Sequence, residues 1–68
     1  MKAKAIIVLA FYYLFNKKQF NYNIISKHIK VSHVYFSNVM KELDLIYCDL
    51  FPGSGIIFDY QKKSYVVY

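Results

Sequence analysis

The stretch KVSHVYFSNVMKEL, residues 30–43, decides how the chain is read. Within it Phe36, Val39, Met40 and Leu43 recur at the i, i+3, i+4, i+7 spacing of a single helical face. Ser32 stands just ahead of them, and its hydroxyl can accept a hydrogen bond from a free amide of the first turn. The spacing predicts a helix over about residues 33–43 with a defined inner side. At roughly 100° per residue, the opposite side centres on Val34, Asn38 and Lys41, with Tyr35 and Ser37 at its borders. Such a face either rests in water or reads a surface.

Working back toward the start, Ala3–Phe15 contains no Gly, Pro or helix-breaking polar residue and predicts a first helix over about 3–16, ended near NKKQ. It is apolar on nearly every side. A helix of that kind is buried on two faces of its own domain or shared with another chain, which predicts a homodimer or hetero-complex through the first helix. After the turn, Asn21 can cap a second helix over about 22–29, with Phe20 packing back on it and Ile25 and Ile29 forming its inner face.

From Leu45 onward the texture turns β-branched and aromatic, in the order LIYCDLF, PGSG, IIFDY, QKKS, YVVY. This predicts strands over about 45–51, 56–60 and 64–68. The first turn holds both Gly residues and the only Pro, where tight geometry needs them. The expected fold class is α+β: three helices and a C-terminal β-hairpin or three-strand meander, all in one domain over residues 1–68.

Sixty-eight residues allow one small domain, which buries only ~60% of the surface its unfolded chain exposes. With 57% hydrophobic residues, eight Tyr and six Phe, the chain is far from the composition of a disordered tail, and it can still leave apolar surface open. Nine basic residues against four acidic ones give a net charge of +5, which favours polyanions. All nine are Lys, so the Arg fork that pairs bidentately with guanine or phosphate is absent. The abundance of Lys, Asn, Ile, Tyr and Phe suggests an A·T-rich genome as the source of that bias.

Cys48 stands alone, which excludes an intramolecular disulfide and fits a reducing, cytoplasmic location. The start MKAKAIIVLAFYYLF imitates a signal peptide but lacks a small-residue cleavage motif. Its apolar run from Ala5 to Phe15 is well short of the ~18 residues of a membrane span, so no membrane partner is expected.

Little here suggests catalysis. His28 and His33 are too far round a helix to share a metal, and Cys48 has no neighbouring His in sequence. Asp49 and Asp59 could approach across a hairpin, without forming a recognisable acid–base pair. No Gly-rich phosphate loop, nucleophile elbow or zinc signature is present. The expectation is a non-enzyme with no cofactor and no metal.

The segment ISKHIKVS, residues 25–32, runs aliphatic, small, two variable positions, aliphatic, turn, aliphatic, capping Ser. With Ile25, Ser26, Ile29, Val31 and Ser32 in those places and Asn21 as the preceding cap, it resembles the core of the winged helix-turn-helix superfamily. The order of elements extends the resemblance over essentially the whole chain. Three points depart from the family pattern: Lys30 stands for the usual turn Gly, the third helix reaches Asp44 about one turn early, and the turn PGSG is uncharged where a wing usually carries basic residues. If Lys62 and Lys63 form the wing instead, the third departure disappears.

The resemblance implies a recognition helix made of Ser32, His33, Val34, Tyr35, Ser37, Asn38 and Lys41 on double-stranded DNA. There Asn38 could pair bidentately with adenine, Val34 could touch a thymine methyl, Lys41 could reach phosphate or guanine, and His33 could add a phosphate contact. That set would prefer A·T-rich sites. Lys17, Lys18, Lys27, Lys30, Lys62 and Lys63 are the phosphate-contact candidates, with Lys2 and Lys4 a further pair. Tyr47, Tyr60, Tyr65 and Tyr68 on strands could stack single-stranded bases. The implied function is a transcription regulator or a mobile-element or viral DNA-transaction factor. The alternative is an accessory subunit that docks on a larger replication or transcription enzyme, since apolar residues on the outer face also suit a protein interface.

Overall fold

A computed structural model describes residues 2–16 and 18–68. Helices α1 (Lys2–Phe15), α2 (Tyr22–Ser26) and α3 (His33–Leu50) precede strands β1 (Ile56–Asp59) and β2 (Ser64–Val67), which pair antiparallel. The chain is therefore a small α+β fold, three helices ahead of a two-stranded sheet, consistent with a helix-turn-helix followed by a hairpin.

Both expected caps form. The Asn21 side-chain carbonyl accepts from the Ile24 amide at 3.1 Å, and the Ser32 hydroxyl accepts from the Tyr35 amide at 3.1 Å. Each satisfies one of the amides that a helix start leaves without an internal partner. α2 is shorter than expected, ending at Ser26, although the amides of His28 and Ile29 still bond back to the Ile25 carbonyl at 3.0 Å.

α3 overturns one expectation. It continues to Leu50 through the residues expected as a strand over 45–51, so the sheet is a two-stranded hairpin and not a three-strand meander. Leu43, Ile46, Tyr47 and Leu50 carry the i, i+3, i+4, i+7 stripe forward. Once a helix is nucleated each added residue gains a hydrogen bond, which outweighs propensity differences of a few tenths of a kcal/mol. The stop comes at Phe51 (φ −130°, ψ 80°), the residue before Pro52, whose ring disfavours the helical region for its predecessor. Gly53 (φ 88°) then takes a left-handed conformation that a side chain would strain. Among the described residues Lys63 (φ 53°) is the single non-Gly residue with positive φ, so Lys30 does not adopt the left-handed backbone that a turn Gly would serve.

The core draws on the three helices, β1 and the loop before α2: Ile6 and Ala10 from α1, Ile25 from α2, Phe36, Val39, Met40 and Leu43 from α3, Ile56 from β1, and Phe20 from the loop, with Tyr65 of β2 packed against it. The Phe20 ring lies 5.6 Å from Phe36 and 5.7 Å from Tyr13. Its carbonyl accepts from the Tyr65 amide at 2.7 Å, so β2 is bordered by β1 on one edge and by Phe20 on the other. Asn21 adds a second tie, donating from its side-chain amide to the hydroxyl of fully buried Ser64 at 3.0 Å. At the other end of the sheet, the Asp44 carboxylate accepts from the Ile56 amide at 2.7 Å and fixes where β1 leaves α3.

α1 buries Ile6 and Ala10, while the opposite face of Lys4, Val8, Phe11 and Phe15 stays open. No helix among the described residues is long and apolar enough to cross a membrane.

Candidate nucleic-acid interface

α3 has 18 residues, roughly 27 Å of helix at 1.5 Å per residue. Its inner stripe is occupied by the core, so its outer side is fixed by geometry. Val34 (70% exposed), Asn38, Lys41 and Leu45 line that side at i, i+4, i+7, i+11. Leu45 belongs to the stripe only because the helix continues past Asp44. The spacing that extends the inner face also extends the outer one, and it could have been read from the sequence.

The start of α3 is held from α2. The Tyr22 ring stacks on His33 with centroids 3.6 Å apart, and its hydroxyl donates to the Val31 carbonyl at 2.5 Å. His33 is exposed yet oriented by this stack, and Ser37 is half-buried one turn further along. Ser32 keeps its hydroxyl on the helix start as a cap. Tyr35 leans the other way, lining a shallow hollow with Lys2, Val31 and Ser32. It therefore borders the outer face on the α1 side.

The hairpin turn completes the surface. The Asp59 carboxylate accepts from the amides of Gln61 at 2.9 Å and Lys62 at 3.2 Å, which folds the chain back, and Lys63 closes the turn in the left-handed region. Lys63 lines one groove of about 420 Å³ with His33 and Ser37 of α3 and Asn23 of α2, floored by Phe36 and Phe58. Asn23 and Phe58 were not among the residues singled out from sequence. Their placement depends on the hairpin crossing the start of α2.

Lys62 and Lys63, neighbours in sequence, do not act as a pair. Lys62 leaves its neighbour Lys63 and lines a different groove of about 580 Å³ with Lys18, Phe15 and Tyr47. Lys18 there stands 5.4 Å from the centre of the Tyr12 ring. Lys27 and Lys30 are exposed on the connection from α2 to α3. Lys17 lies outside the described residues. The turn that carries basic residues is thus the β1–β2 turn, while PGSG joins α3 to the sheet.

The Tyr residues form no common platform. Tyr47 sits on α3 against Phe51, Tyr65 is packed between Phe36 and Phe58, and Tyr60 is 83% exposed at the hairpin turn. The strand reading of residues 45–51 had put Tyr47 beside the others.

Cys48 also moves from an expected strand to α3. Desolvation pushes its thiol above the ordinary range, and the carboxylates of Asp44 and Asp49 push it further. A thiol so disposed is a poor nucleophile at neutral pH. Asp49 on α3 and Asp59 at the end of β1 no longer face each other across a hairpin, since the strand that would have brought them together is helix. Among the described residues no three His, Cys, Asp or Glu side chains gather closely enough to hold a metal ion. In comparisons with known proteins the chain matches no protein-family model, no curated protein and no solved structure.

Proposed function

We propose that the chain is a winged helix-turn-helix protein that binds double-stranded DNA through the outer side of α3, with the β1–β2 turn as its wing. The observation that carries this reading is the shared groove of His33, Ser37, Asn23 and Lys63 beside the exposed face of Val34, Asn38 and Lys41. An α-helix fits the ~12 Å major groove of B-DNA. Asn38 then has the donor and acceptor needed for the adenine edge, and Val34 meets a thymine methyl. Lys63, at the turn, reaches the flanking backbone, where charge sets position and not sequence. A role in transcription regulation or in the DNA transactions of a mobile element or virus follows from such a module.

Binding of the purified chain to a labelled mixed-sequence duplex, followed by fluorescence anisotropy across a salt series, tests the reading. If roughly five Lys reach phosphate, affinity falls about 500-fold between 50 and 200 mM salt. Asn38→Ala combined with Lys41→Ala is expected to weaken binding ~10- to 100-fold with folding intact. Unchanged affinity in the folded double variant would remove α3 as the recognition element.

The second reading is an accessory subunit that docks on a larger replication or transcription enzyme. Val34 and Leu45 favour it, being 70% and 67% exposed apolar residues on the same outer side. In that case the chain alone binds duplex negligibly even at low salt, and Val34→Glu abolishes recovery of a specific large protein from the native host.

A further inference from the structure

We propose that the groove between the end of α1, the last turn of α3 and β2 binds a small amphipathic anion, an alkyl chain carrying one acidic headgroup. Leu14 and Phe15 of α1, Tyr47 of α3, and Val66 and Val67 of β2 supply its apolar walls. Lys18 and Gln19 from the loop after α1 and Lys62 from the hairpin turn supply its polar lining. Three segments far apart in sequence therefore meet there. At about 580 Å³ the groove falls within the ~300–1,000 Å³ of sites that take small molecules. It also has their composition, mostly apolar with a few polar groups that orient the ligand.

Charge names the headgroup. Two ammonium groups line the groove, and none of the four acidic residues appears among its described lining. No Asp or Glu precedes Glu42, so neither α1 nor the loop after it brings a carboxylate here. On α3, at 100° per residue, Glu42 and Asp49 lie roughly 140–160° round the helix from Tyr47. Asp44, about 60° away, accepts from the Ile56 amide. Asp59 accepts from the amides of Gln61 and Lys62 within its own turn. Lys18 is placed by the Tyr12 ring, whose centre is 5.4 Å from the ammonium. An anion entering the groove thus meets cations alone, whereas a cation would meet them as like charges.

The walls name the rest of the ligand. A duplex backbone could satisfy the same two Lys, but its phosphates carry no apolar body to cover Phe15 and Val67, which are 67% and 38% exposed. An alkyl chain covers them and gains free energy with each methylene it takes from water. Tyr47 stands roughly 120–180° round α3 from Val34, Asn38 and Lys41, so a ligand here leaves the outer face open.

Isothermal titration calorimetry of the full chain with octanoate, nonanoate and decanoate tests the site, with decyl phosphate as a second headgroup and decanol as the uncharged comparator. One ligand per chain is expected, tightening about two- to fourfold with each added methylene. Decanol is expected to bind several-fold more weakly than decanoate, and the tighter of decanoate and decyl phosphate identifies the headgroup. Lys18→Glu with Lys62→Glu, both at exposed positions, is expected to weaken decanoate about 10-fold with an unchanged helical spectrum. Lys27→Glu with Lys30→Glu makes the same change of net charge away from the groove and is expected to leave affinity within about twofold. No binding up to ~1 mM, an affinity indifferent to chain length, equal binding of decanol, or equal loss in the two double variants would each overturn the site. These titrations contain no nucleic acid, and their outcome is separate from that of the DNA-binding reading.

Discussion

The Tyr22 hydroxyl donates to the Val31 carbonyl while the ring of the same residue lies flat against His33. One side chain therefore closes the turn between α2 and α3 and aims the first residue of α3. Tyr22→Phe keeps the stack and leaves the carbonyl without this donor, a loss of about 0.5–1.5 kcal/mol. Urea unfolding of the two proteins measures it, and a change of the same size in Tyr22→Ala would mean that the ring contributes nothing beyond its hydroxyl.

Asp44 is the joint between α3 and the sheet. Asp44→Ala removes a charged acceptor from the amide of buried Ile56 and is expected to cost about 1.5–3 kcal/mol, whereas Asp44→Asn keeps an acceptor and costs about 1 kcal/mol. Denaturant midpoints for both variants check the ranking. Equal midpoints would show that the carboxylate does not hold the strand.

Lys63 sits at φ 53°, where a side chain strains the backbone. Lys63→Gly is expected to stabilise the fold by about 0.5–1 kcal/mol and at the same time to weaken duplex binding several-fold. Lys63→Ala loses the charge and keeps the strain. Opposite signs of stability and affinity in the Gly variant separate the two roles of this residue, and a loss of both would show that the turn tolerates Lys without strain.

Cys48 is held protonated by desolvation and by Asp44 and Asp49. Its reaction with a thiol reagent near pH 8 is expected to be slower in the folded chain than in the urea-unfolded chain. The folded rate should still be climbing at a pH where the unfolded thiol is already ionised, because its titration lies higher. Matching pH profiles in the two states would contradict the environment described for α3.

What could be read from sequence was local. As helix caps Asn21 and Ser32 accept from amides three residues on, and Phe36, Val39, Met40 and Leu43 repeat with the helix itself. The hairpin was legible from the Asp59–Ser64 turn chemistry. The end of α3 was misread because LIYCDLF looks like a strand in isolation, although Leu43, Ile46, Tyr47 and Leu50 keep helical spacing. Phe51 before Pro52 was the stop signal. The separation of Lys62 from Lys63, and the company that Asn23 keeps with His33, are set by how the hairpin crosses the helices. No local pattern carries that information.

The bond from Asn21 to Ser64 spans 43 positions, and Phe20 waits for Tyr65 over a similar distance. Contacts of that separation slow folding relative to a helical bundle built from near neighbours. On a ribosome adding about 5–20 residues per second, the segment around Phe20 is made roughly 2–9 s before the strand that covers it. During that interval Phe20 has neither the strand that borders it nor the Tyr65 amide that its carbonyl accepts from, so the core cannot close until the hairpin has been made.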